Sequence, residues 1–279
     1  MHLSPELAHQ ILSLLGCTRE RPSVRYLNRL IHAVIRHVPW ESASRIVRRH
    51  ATPDTSLCPR WPAEFWQETL THGVGGTCFE NNLAFFALLT TLGFEGYLTI
   101  NDMAVPACHT ACVITLEGRK YLADIAIPVY CAIPFAPDRI TRRSTAFHNY
   151  TIHPQGASRY AIERSHHPKR LAFTLVDIPI PLDAYRLAVQ QDYEATGFFL
   201  DRVIIIKVIE NRLWRFSSAE TPYRLEGFDK FTRQEIPLEP FTLVPTLAAH
   251  FGIDGAIIAL ALTHLQRQSI VESTSMEGK

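Results

Sequence analysis

The chain has 279 residues, 47% of them hydrophobic and 20% charged, with a formal net charge of +1. That balance describes a globular, water-soluble protein with enough apolar residues for a large core, and it carries no electrostatic footprint for nucleic acid. The longest apolar run, 255–262 (GAIIALAL), is too short to span a bilayer, so neither nucleic acid nor membrane is expected as a partner.

The chain begins with MHLSPELAHQILSLLG, an amphipathic helix pattern with Ser4 as cap and Pro5 at the first helical position. It has no secretory h-region, and the six cysteines (Cys17, Cys58, Cys78, Cys108, Cys112, Cys131) show no disulfide framework. A reduced, cytoplasmic setting is therefore expected. In SVRYLNRLIHAVIRHV, the residues Val24, Leu27, Ile31, Val34, Ile35 and Val38 recur near a period of 3.6, and Pro39 ends the helix. Two basic runs, 45–50 (RIVRRH) and 139–143 (RITRR), read as solvated faces, with a clamp for the phosphates of a small ligand as the other reading. PAEFWQETLTHG is a helix closing at Gly73, and TCFENNLAFFALLTTLGF is a helix ending at Gly93. From Tyr97 onward, short β-like runs follow one another, separated by Gly and Pro: YLTIN, HTACVITLEGRKYLADIAI, YTIHP, RYAIER and LAFTLVDIPI. DRVIIIKVI and RLWRFSS form a hairpin about Glu210-Asn211, a helical stretch follows from Leu243, and the polar tail from Ser269 reads as frayed. Helices, then strands, then a mixed end make a segregated α+β chain. Its three parts are 1–93, 94–185 and 186–279.

Cys78 lies at the junction GVGGTCFENNL. Thr77 and Glu80 match the capping box, which places Cys78 at the first helical position. There the unpaired N–H groups and the positive end of the helix dipole lower a thiol pKa and can bind an oxyanion. Gly75 and Gly76 would let a substrate carbonyl approach the backbone. A small buried hydrophobe is the bland reading of Cys78.

A cysteine nucleophile needs a histidine, and that histidine needs an acceptor to fix its tautomer. If Glu117-Gly118 is a two-residue turn, Leu116 pairs with Arg119 and Ala111 lies opposite Asp124. His109 then shares a face with Ala111 and is a diagonal neighbour of Asp124, with Cα atoms roughly 7–8 Å apart. A slip of one residue would separate the two side chains. Read singly, each is an ordinary polar residue, His109 being one of thirteen histidines.

In these residues the chain resembles the arylamine N-acetyltransferase family: Gly75-Gly76-Thr77-Cys78-Phe79-Glu80 with Asn82, His109 opening a strand, and YLAD ending at Asp124. HVPWES and LGFE, and more weakly DYEATGFFLDRVII, extend the resemblance over roughly 20–215. It implies an N-terminal helical bundle, a central antiparallel β-barrel-like domain and a C-terminal α/β lid, with a papain-like Cys-His-Asp core. It also implies ping-pong transfer of an acetyl or other acyl group from a CoA thioester, acetyl-CoA, through Cys78 to an arylamine or hydrazine. His109 would carry the proton and Asp124 would orient it; no metal is implied. The chain departs from the family pattern at Val74, where the family has Arg before the glycines, at Trp40-Glu41-Ser42, and at Ala126 and Pro128 where glycines are usual. Val74 removes a charge that could pair with a carboxylate such as Glu41.

Phe79, beside Cys78, is the first candidate for an aromatic pocket wall; Trp40, Phe85, Phe86, Phe198 and Phe199 are others, though aromatics at helical spacing are commonly core. Glu80 reads as the cap partner rather than an acid catalyst. The same triad fits an amide synthase releasing a polyketide chain from an acyl carrier protein, or a transglutaminase-like or papain-like hydrolase. A metal module built on Cys108, His109 and Cys112, or on His166-His167, lacks a second ligand pair, and adjacent strand residues point to opposite faces. A non-enzymatic family member is the remaining reading.

Overall fold

A computed structural model describes residues 1–126, 129–165, 170–195 and 197–277, with side chains up to 267. Pro128, His166 and His167, named above, lie outside the described residues.

The chain opens with α1 (Pro5–Leu14) and α2 (Val24–His37). Ser4 and Ser23 cap them, accepting from the Leu7 and Tyr26 N–H groups at 3.2 and 3.1 Å. The buried stripe of α2 includes Leu27, Ile31, Val34 and Ile35, as its period predicts. A two-residue strand, β1 (Trp40–Glu41), follows at the Pro39 break. Then come α3 (Ala43–Ala51), α4 (Pro62–His72) and α5 (Cys78–Thr91). Gly73 ends α4 in the left-handed region, φ +67°, as a glycine C-cap does. From Cys78 to Phe85 every residue of α5 is buried, polar ones included. It is the central helix of the molecule rather than an amphipathic one with a single apolar face.

Strands β2 (Glu95–Asn101), β3 (His109–Leu116), β4 (Arg119–Ala123) and β5 (Ile133–Phe135) form one antiparallel sheet in that order. Leu116 pairs with Arg119 and Cys112 with Ala123, the register read from the sequence. Glu117 and Gly118 both have positive φ, +49° and +71°, which matches the right-handed twist of the strands they join. β6 (Thr141–Ser144), β7 (Asn149–Pro154), β8 (Arg159–Arg164) and β9 (Leu171–Val176) form a second sheet. The two sheets meet along β2 and β9. There Asp102 and Thr174 exchange backbone hydrogen bonds of 3.2 and 2.7 Å, and the Tyr97 hydroxyl donates to Asp177.

After α6 (Leu182–Gln191), the chain forms β10 (Ile204–Ile209), β11 (Arg212–Ser217), β12 (Arg224–Phe228) and β13 (Arg233–Pro237). The β10–β11 turn sits at Glu210-Asn211, both with positive φ. The third sheet has the order β1-β10-β11-β12-β13, so the short strand from the helical region is its edge. Helices α7 (Leu243–Phe251) and α8 (Gly255–Glu277) close the chain, and the stretch expected to fray continues α8 as far as Glu277. One apolar core joins the first helices, α5 and the first two sheets; a second lies among Val74, Ile205, Trp214, Phe216, Leu247 and Phe251 under α7 and α8. Val74 is thus fully buried among apolar side chains, a position that would not tolerate an unpaired charge.

Of the two basic runs, the first is not a solvated face. Arg45 is fully buried, paired with Asp192 at 3.0 Å and stacked on the Tyr193 ring at 4.0 Å. Arg48 pairs with Glu64 and Glu68. Arg139, Arg142 and Arg143 are exposed, as expected. Among the described residues no helix is long and apolar enough to cross a membrane.

Candidate active site

Cys78 is the first residue of α5 and only 9% exposed. The helix is not held there by the predicted capping box. The Thr77 hydroxyl is buried without a hydrogen-bond partner, and Glu80 turns the other way. The Glu80 carboxylate accepts from the Arg60 backbone N–H at 2.9 Å, from the Arg60 guanidinium at 2.6 Å and from the Tyr193 hydroxyl at 2.9 Å. Burial alone would raise the Glu80 carboxyl; the Arg60 charge and its hydrogen bonds overcome that and hold it below the usual carboxylate range. Arg60 also donates to the Gly75 carbonyl at 2.6 Å. The cation missing at Val74 is therefore supplied from Arg60, fourteen positions earlier by sequence number, and it serves Glu80 and the glycine loop together. Glu41 is buried as well, receiving the Ser44 N–H at 3.0 Å and the Ser44 hydroxyl; burial raises its carboxyl, against the nearby Arg60 charge and these bonds.

The two glycines are filled by protein, not left open. A Cβ on Gly75 would lie 1.7 Å from the Pro39 carbonyl oxygen, and one on Gly76 2.7 Å from Glu80 Oε2. Gly76 accepts from the Glu41 N–H at 3.1 Å beside β1. Their small size lets β1 and the Arg60–Glu80 pair close on the loop, a correction to the expectation of substrate approach at this point.

His109 opens β3, and Asp124 follows β4. The predicted diagonal contact is made: His109 Nε2 and Asp124 Oδ2 are 2.6 Å apart, both side chains essentially inaccessible. A carboxylate has no proton to give, so the ring proton sits on Nε2 and leaves Nδ1 as the acceptor nitrogen. Asn82, one turn along α5 from Cys78, locks this pair to the helix. Its amide donates to Asp124 Oδ1 at 3.1 Å and to the Thr110 carbonyl at 2.7 Å, and its oxygen accepts the Ile125 N–H. The Ala126 N–H also donates to Asp124 Oδ1, at 2.9 Å, so glycine is not needed at 126 for this bond. Thr110 Oγ1 donates to the Cys78 carbonyl, and the Tyr185 hydroxyl reaches Thr110 Oγ1 and the Phe79 carbonyl. The cysteine and the histidine are thereby fixed relative to each other through side chains of the residues next to them. The Cys78 sulfur faces the Cys108 carbonyl at 3.8 Å.

Electrostatics at the sulfur are the reverse of the lowered pKa expected. Burial pushes the Cys78 thiol up, and the Asp192 and Asp124 carboxylates add to it, against Arg45 and a bond from the Thr110 backbone.

Cys78 and His109 line one cavity of about 320 Å³. Its other walls are mostly apolar, from Met103, Leu171, Phe228 and the β10 residues Ile204 and Ile206, with Arg164 and Arg215 also on the lining. Of the aromatic candidates, Trp40, Phe198 and Phe199 line it, Trp40 meeting Phe199 edge-on at 4.9 Å. Phe79 does not: its ring packs against Tyr185 at 5.8 Å in the core, where Phe85 also lies. Arg60, Tyr185, Tyr193 and the Arg45–Asp192 pair support the site without having been legible in its motifs. Among the described residues, no group of three or more His, Cys, Asp or Glu side chains could hold a metal ion.

The architecture is one already seen in solved structures. The arylamine N-acetyltransferase of Mycobacterium abscessus superposes with a TM-score of 0.75 at 20% identity, over 93% of this chain and 94% of that one. That of Mycobacterium marinum, solved in complex with CoA, gives 0.78 at 16% identity over 93% and 98%. That of Bacillus cereus, described as having a unique Cys-His-Glu catalytic triad, gives 0.73 at 16% over 90% and 100%. At these identities the likeness shows the fold alone. No curated protein sequence matches the chain. A family model described as N-acetyltransferase matches residues 23–197, more than half of the chain. The chain belongs to the arylamine N-acetyltransferase family.

Proposed function

We propose that the protein is an acyltransferase that moves an acetyl group from acetyl-CoA through a Cys78 thioester to the nitrogen of an arylamine or hydrazine. The observation that carries this reading is the placement of Cys78 and His109 on one mostly apolar cavity, with His109 bonded to Asp124 at 2.6 Å. In the first half-reaction His109 Nδ1 takes the Cys78 proton and the sulfur attacks the thioester carbonyl. As the tetrahedral adduct collapses, the carbon–sulfur bond to CoA breaks and the CoA sulfur leaves with the proton held by His109. In the second, the amine attacks the Cys78 thioester, His109 accepts the amine proton, and Cys78 regains it on leaving. Asp124 holds the ring in the productive tautomer and stabilises the imidazolium at each stage. The first N–H groups of α5 are the donors for the oxyanion.

Donor and acceptor share one nucleophile and one cavity, so they would react in turn. The CoA complex of the Mycobacterium marinum relative supports a CoA thioester as the donor. In the same reading the two central sheets are the barrel-like part carrying His109 and Asp124, and 186–279 acts as the lid, supported by Phe198, Ile206 and Phe228 in the cavity wall. Initial rates with acetyl-CoA and an arylamine varied together test the scheme: parallel double-reciprocal lines are expected, and intersecting lines contradict it.

A further inference from the structure

The cavity beside Cys78 is lined by a cation to which no described residue gives an acidic partner. Arg164, the last residue of β8, lines it. The side chain is half-buried, and its Nε is buried without a hydrogen-bond partner. The other arginine on the cavity, Arg215, is different: Glu220 and Glu226 both hold its guanidinium. None of the described residues lining the cavity is Asp or Glu. A buried N–H without an acceptor is costly, and an anion entering the cavity would relieve that cost. The planar guanidinium offers parallel N–H groups matched to a carboxylate. A cavity of about 320 Å³ admits a substituted benzene or a short acyl chain rather than a nucleotide.

Resting on the acyl-transfer reading above, we propose that Arg164 is a specificity-determining residue that binds a carboxylate on the substrate occupying this cavity. The carboxylate belongs either to the acceptor, as in an aminobenzoate, or to the acyl group, as in the half-thioester of a dicarboxylic acid. Either way the charged end docks on Arg164 while the reacting end meets Cys78 and His109.

The test compares charged and uncharged partners of like shape within one enzyme, so that loss of active fraction cancels. One arm measures kcat/KM for 4-aminobenzoate against 4-aminobenzamide with acetyl-CoA as donor. The other measures loading of Cys78 by succinyl-CoA against butyryl-CoA, by intact mass. The proposal predicts that in one arm the wild-type ratio favours the carboxylate, falls about tenfold or more in Arg164→Gln, and is only partly kept in Arg164→Lys, which retains the charge but not the fork. The arm that responds identifies the bearer of the carboxylate. Ratios equal in wild type and Arg164→Gln in both arms would overturn it. If no thioester loads Cys78, the acyl-transfer reading fails, and calorimetry with benzoate still decides for Arg164: binding to wild type that is lost in Arg164→Gln upholds the anion site, and equal binding or none refutes it.

Discussion

At the residue scale, the chemistry turns on where one proton rests. Cys78 is buried with two carboxylates raising its thiol, so an isolated thiolate is disfavoured. In the proposed mechanism a sulfur–imidazole pair is not, because His109 would accept the proton while Asp124, 2.6 Å away, balanced the imidazolium. The expected consequence is that alkylation of Cys78 at pH 7 depends on its partner. His109→Gln slows iodoacetamide labelling of Cys78 by roughly a hundredfold or more, followed by peptide mass mapping, and brings it back only as alkali ionises the thiol directly. Labelling at the wild-type rate would separate His109 from the sulfur. Asp124→Asn leaves the cysteine in place but permits the wrong tautomer, and kcat/KM falls by about 10²–10⁴-fold.

At the element scale, α5 is anchored at its start by charge rather than by a cap. Arg60 and Glu80 are both fully buried; without Glu80, Arg60 keeps only Glu68 at 3.1 Å as a charged partner and loses its nearer carboxylate. Glu80→Gln is expected to lower stability by about 1.5–3 kcal/mol at pH 7 in urea unfolding, since Glu68 still balances part of the Arg60 charge. The sign with pH follows from the lowered carboxyl of Glu80. Its contribution is present above the unfolded-state value, near the ordinary carboxylate range, and is lost as pH falls through the lower folded-state value. The stability difference between wild type and Glu80→Gln therefore shrinks on acidification, and a difference independent of pH would contradict the ionised pair. Gly75→Ala puts a methyl group on the Pro39 carbonyl; it costs at least about 1–3 kcal/mol by the same assay and detaches β1 from the loop. The β3–β4 hairpin was legible because a two-residue turn fixes register, and register fixes which side chains share a face. The capping box was misread because local spacing cannot report Arg60, which competes for Glu80 from another segment and wins on charge. Phe79 was misplaced for a related reason: adjacency to Cys78 in a helix turns its side chain about 100° away, into the core.

At the scale of the whole molecule, the cavity is closed by parts far apart in sequence. β1 leaves the helical region to become the edge of the C-terminal sheet, and Trp40, Arg164, Phe199 and Phe228 meet over Cys78 from separate segments. The order of helices, strands and a mixed end was readable from periodicity. The β1–β10 pairing was not, since a two-residue strand has no pattern of its own. For the same reason the His109–Asp124 pair could be assembled from sequence, whereas the cavity wall, Arg164 included, could not. The account as a whole stands on Cys78 carrying the acyl group with His109 as its proton partner. Intact mass after incubation with acetyl-CoA and no amine tests this most directly. Wild type should gain one acetyl group mapped to Cys78 and lose it on addition of an arylamine, with none gained by Cys78→Ala and little by His109→Gln. An acetyl group mapped elsewhere, or gained equally by Cys78→Ala, would contradict it.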